Sequence, residues 1–116
     1  MLDKKLIEEL NERLAPKSGE AHQLPELTHM RKVALSTLGQ YQNANDKVTE
    51  FNGRPIRSNA EAVINRRSIQ AFQMTMQEEL GRLASHVTDI SHLDGTMVDL
   101  SDRLNIAVAA QARVIV

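Results

Sequence analysis

Cysteine is absent from this 116-residue chain, which excludes disulfides, thiolate metal sites and a cysteine nucleophile from the outset. Tryptophan is absent as well, and the aromatic residues are only Tyr41, Phe51 and Phe72. A core of Leu, Ile, Val, Ala and Met suits helices packed on helices better than a sheet. No apolar run approaches the roughly 20 residues of a membrane span. The opening MLDKKLIEEL is too charged for a secretory signal peptide. These absences set the expectation of a protein with no membrane span, found in the cytoplasm or as part of an assembled particle.

The chain is 41% hydrophobic and 25% charged, ordinary values for one soluble domain of this length. Net charge is -1, unevenly placed. Residues 1–28 carry four Lys/Arg against six Asp/Glu, residues 29–67 seven against three, and residues 68–116 three against six. A basic middle between acidic flanks can pair within a chain, between copies or with a polyanion.

Apolar periodicity places four helices. Leu2, Leu6, Ile7, Leu10 and Leu14 mark a short N-terminal helix over about 2–14, which Pro16 stops. Residues 15–24 lack periodicity and read as a flexible linker. Pro25 suits the first position of a helix, where its missing N–H is not needed. Leu27, Met30, Ala34, Leu38, Tyr41, Val48 and Phe51 then trace one face of a helix over about 26–51, weakened at Asn43, Ala44 and Asn45, where a kink or a small-residue contact is expected. Asn52-Gly53 and Pro55 end it, with Gly53 expected in a left-handed cap.

Ser58-Asn59-Ala60-Glu61 fits the reciprocal capping box and starts a helix over about 59–93. Its stripe runs through Ala62, Ile69, Phe72, Met76, Leu80, Leu83, Val87 and Ile90. Asp94-Gly95-Thr96 predicts a break, after which Thr96 and Asp99 are candidate caps for a C-terminal helix over about 97–113 carrying Met97, Leu100, Leu104 and Val108. The expected fold is all-α: an antiparallel hairpin of two long helices with short helices at either end, in a single domain spanning 1–116.

The chemical motifs are sparse. His86 and His92 stand about 120° apart around a helix and share no ligand face, and no HExxH spacing occurs, so no metal or other cofactor is expected. No nucleophile elbow or glycine-rich phosphate loop is present, and a slender bundle offers little room for a walled pocket, so no enzymatic activity is expected. Arg54, Arg57, Arg66 and Arg67 form the main basic cluster and are a candidate patch for a polyanion or for an acidic partner such as Glu8, Glu9, Glu12, Asp99 and Asp102. No helix rich in Arg, Asn and Gln follows a tight turn as a helix-turn-helix requires.

The third helix outruns the second, so its distal stripe needs cover from the terminal helices or from another copy. Leu83, Val87, Ile90, Leu100, Leu104 and Val108 are the candidate partner interface. The methionines on or beside these stripes suit either core filling or an adaptable contact surface. Together these features point to a non-enzymatic structural or assembly subunit acting by helix–helix association with copies of itself and with other protein subunits. Phage particles and secretion or filament machines use parts of this shape. The alternatives are a small nucleic-acid-binding regulator using residues 54–67, and an adaptor or chaperone for another protein.

Overall fold

The computed structural model describes residues 2–16 and 24–115, with side chains as far as Gln111. Among these residues are four α-helices: α1 Lys4–Leu14, α2 Pro25–Asn52, α3 Asn59–Leu93 and α4 Val98–Ile115, with a 3₁₀ turn over Gly95–Met97. The fold is all-α, and the helix limits lie within two residues of those read from periodicity. Most of the expected linker, residues 17–23, lies outside the described residues.

Local chemistry explains the ends. Asp3 caps α1 by accepting the Leu6 N–H at 2.7 Å. Pro25 occupies the first turn of α2, where no hydrogen bond is lost. α2 continues as helix through Asn43, Ala44 and Asn45, with Ala44 buried as a small-residue contact. It ends differently from expectation: Gly53 has φ -89° and ψ -5°, a right-handed conformation, and its N–H is shared among the carbonyls of Thr49, Glu50 and Phe51. The stop comes from Pro55, which cannot continue the ladder.

At the start of α3 the Ser58 hydroxyl accepts the Glu61 N–H at 3.1 Å. The returning half of the box is displaced by one residue, because Glu61 Oε2 accepts the Arg57 N–H at 2.8 Å. The break after α3 is present, but its cap is Asp94 rather than Thr96 or Asp99. Asp94 Oδ1 accepts from both the backbone N–H of Thr96 at 3.0 Å and its hydroxyl at 2.6 Å.

Two zones result. In the first, α1 and α4 join the hairpin to make a four-helix base. Leu10, Leu14, Leu38, Tyr41, Leu80, Leu83, Val87, Ile90, Met97 and Leu104 are its largest fully enclosed side chains. α1 lies between α2 and α4: the Leu2 N–H donates to the Tyr41 hydroxyl at 2.9 Å, while Arg13 donates to the Thr96 carbonyl at 3.0 Å. Arg103 of α4 reaches Glu9 of α1 at 2.6 Å. A polar cluster interrupts the α3–α4 seam, where the Thr88 and Ser101 hydroxyls share a hydrogen bond at 2.8 Å and Asn105 donates to Thr88 Oγ1 at 3.1 Å.

The second zone is a two-helix arm made of the end of α2 and the first half of α3. It stretches the molecule to 59 × 29 × 21 Å, with a radius of gyration of 16.7 Å. A compact domain of this length has a radius of about 13 Å.

Candidate association surface

No residue from Asn59 to Thr75, the first half of α3, is fully buried. Its inward face, formed by Ala62, Asn65, Ile69 and Phe72, is half-buried against α2 alone. Because helical side chains lean toward the N-terminus of their own helix, residues on antiparallel partners approach from opposite directions. Phe51 and Phe72 meet in this way, with ring centroids 5.6 Å apart. Asn65 donates to the Phe51 carbonyl at 3.0 Å and so ties α3 to the end of α2, where that carbonyl also accepts the Arg54 N–H at 3.3 Å.

The opposite side of the same stretch is also patterned. Ala60, Ile64, Arg67, Ala71 and Met74 recur at intervals of four, three, four and three residues, and all are exposed. Val63 borders them. Exposure is 65% at Ile64, 60% at Met74 and 43% at Val63. A seam at heptad spacing is the complement of another α-helix, whose side chains enter the holes between such residues. Periodicity assigns the inward stripe to this helix; the outward one shares its period and is separated from it by half a turn.

The distal stripe of α3 has a different fate from the one expected of a partner interface. Leu83, Val87, Ile90, Leu100 and Leu104 are buried in the chain's own core, and Val108 is half-buried against it. The turn at Gly95 folds α4 back along α3, and α1 closes the remaining side, so these positions are covered within one chain. The unmet apolar surface sits at the other end of α3 and on the outer face of α4, where Ile106 is 69% exposed.

The four arginines do not form one patch: Arg54 and Arg57 border the elbow depression, whereas Arg66 and Arg67 lie two turns into α3. Arg54 pairs with Glu50 at 2.8 Å and lies over the Phe51 ring at 3.8 Å from its centroid. These contacts hold the Glu50 carboxyl below its ordinary range, chiefly through its hydrogen bond to Arg54 and then through Lys47. Arg57, Arg66 and Arg67 are exposed and make no ion pair with any described residue. Adjacent residues on a helix are about 100° apart, so Arg66 and Arg67 point in different directions. Arg67 lies in the middle of the apolar seam. Glu9 and Asp99 are engaged by Arg103 at the base, 2.6 and 3.3 Å away.

The elbow holds a shallow depression of about 370 Å³ between Phe51, Arg54, Ile56, Arg57, Glu61 and Ile64. His29, His86 and Asp89 border a smaller hollow between α2 and α3. Among the described residues no group of three or more His, Asp or Glu is arranged to hold a metal ion. No described helix is long and apolar enough to cross a membrane. No protein-family model, curated protein or solved structure matches this chain.

Proposed function

We propose that this protein is a non-enzymatic assembly subunit that works by helix–helix association, joining copies of itself and other protein subunits in a larger particle or machine of the phage or secretion-filament kind. The observation that carries this reading is the outward seam of α3. Two large apolar side chains, Ile64 and Met74, stand in solvent on this seam at the spacing of a helix-pairing surface, with Val63 beside them. Scattered exposed apolar residues are ordinary, whereas a register of this kind on an arm projecting from a closed base is what a docking helix requires.

The polyanion reading rests on the guanidinium groups of Arg57, Arg66 and Arg67. The divergence of Arg66 and Arg67 around α3 weakens it, since a phosphate backbone is tracked by cations along one face. Light scattering across a concentration series tests the association reading: mass rises with concentration for the native chain, and Ile64→Lys removes the rise while leaving the helical content intact. A mass that stays at one chain throughout rejects self-assembly. Retention on heparin with strongly salt-dependent binding to duplex DNA supports the regulator instead. A chain that stays small and gains order only with a client protein supports the adaptor.

A further inference from the structure

We infer that the seam on α3 is occupied by the outer face of α4 from a second copy, with Arg67 of one subunit paired to Asp102 of the next. This rests on the assembly reading above and specifies its contact. The outer face of α4 presents Val98, Asp102, Ile106 and Ala109 at helical spacing, all exposed. It is thus a second apolar strip with a charge within it, and the charge is of opposite sign. Neither Arg67 nor Asp102 makes an ion pair with any described residue. Each is the one charged member of its strip.

The intervals match. Counting outward from Arg67, the seam has Ile64 and Val63 three and four residues before it, Ala71 four after, and Ala60 seven before. From Asp102, α4 has Val98 four before, Ile106 four after and Ala109 seven after. With the helices antiparallel and the two charges opposed, Ile106 meets the Val63–Ile64 shelf, Val98 meets Ala71, and Ala109 meets Ala60. Small residues then face large ones or each other, which lets the helices approach closely around the ion pair.

Pairing the α3 seam with its own counterpart is disfavoured by the same charge. Arg67 lies midway between Ala60 and Met74, so both the parallel and the antiparallel self-pairing bring two guanidinium groups together in a desolvating contact. Like charges set against each other in this way suppress a wrong pairing. Joining two different faces is met either by a closed two-fold pair, in which each copy's arm lies on the other's α4, or by a head-to-tail contact whose repetition gives a ring or an open filament. It also uses the division of charge along the chain, with a cation of one copy's basic arm set on Asp102 in the acidic C-terminal part of its neighbour.

Charge exchange tests the contact on the full chain. Arg67→Glu alone and Asp102→Arg alone each weaken self-association by at least about 30-fold, the effect of placing like charges at a buried pair. An equimolar mixture of the two variants regains association, because every junction between unlike variants then sets one carboxylate against one guanidinium, either in the native order or with the two signs exchanged. Circular dichroism of each variant alone controls for folding, since both positions are exposed. If the native chain associates and neither substitution weakens it, or the mixture stays apart, this contact is wrong while the assembly reading stands. If the native chain remains a single subunit at every concentration, both fail.

Discussion

The Arg31 guanidinium, on the buried face of α2, meets the Asp94 carboxylate at 3.1 Å where α3 gives way to α4. Both side chains are mostly shielded from water, and Asp94 also caps the 3₁₀ turn. One carboxylate therefore fixes the reversal of the chain and ties it to the hairpin. Removing its charge deprives Arg31 of this counter-ion in a poorly hydrated place. Asp94→Asn is expected to lower unfolding free energy by about 2–3 kcal/mol, read from urea denaturation.

The same group gives the fold an acid limit. Hydrogen bonding from the Thr96 hydroxyl, then from its backbone N–H and from Arg31, holds the Asp94 carboxyl below its ordinary value despite partial burial. A carboxylate depressed in the folded state contributes stability above its unfolded value, about 3.9, and loses it as pH falls through the lower folded value. Melting temperature is expected to drop as pH falls below about 4, with a smaller drop for Asp94→Asn. Parallel curves for the two proteins would show that this carboxyl contributes nothing to the acid transition.

Tyr41 sets an alkaline limit. Burial raises its phenol above the usual value, only partly opposed by the N–H that Leu2 donates to it. A raised folded value means that the contribution is complete below the unfolded value of about 10 and is lost as pH rises through the folded one. As the only tyrosine, it is expected to ionise together with unfolding in an ultraviolet titration. Tyr41→Phe removes the acceptor for the Leu2 N–H and is expected to cost about 1 kcal/mol.

Two leucine-sized positions on one helix separate folding from association. Leu83→Ala opens a hole in an enclosed core and is expected to cost about 3–4 kcal/mol. Ile64→Ala removes a side chain that already faces water, so stability of the single chain changes by less than about 0.5 kcal/mol. Self-association falls for Ile64→Ala. Equal destabilisation by both would place Ile64 in the folding core.

Ser58→Ala removes the hydroxyl cap of α3 and is expected to cost about 1 kcal/mol. The loss concentrates in the arm, seen as faster hydrogen exchange at residues 60–63 with little change at 80–90.

Helix limits are legible in the sequence because their signals are local: Pro25, Pro55, the Ser58–Glu61 box and Gly95 each act over one turn. Contacts between distant segments are not. Arg31 and Asp94 are 63 residues apart, and Leu2 and Tyr41 are 39 apart, with nothing in either neighbourhood to announce the pairing. Periodicity identifies Leu83, Val87 and Ile90 as needing cover but cannot say whose helix supplies it; a chain reversal at Gly95 decides that in favour of α4. The seam through Ala60, Ile64, Arg67, Ala71 and Met74 is present in the spacing. It is masked by the stronger stripe on the other side of the same helix, because one period fits two faces.

The hydroxyl and amide cluster of Thr88, Ser101 and Asn105 fixes how α4 sits on α3. Sliding α4 by a turn would part the Thr88 and Ser101 hydroxyls and leave them without their shared hydrogen bond, so the joint is keyed and the azimuth of the α4 outer face is preset. If α4 is the docking face proposed above, an incoming helix would meet a surface already in its docked form, and capture would be governed by how often two molecules collide in the right orientation, not by any rearrangement after they touch.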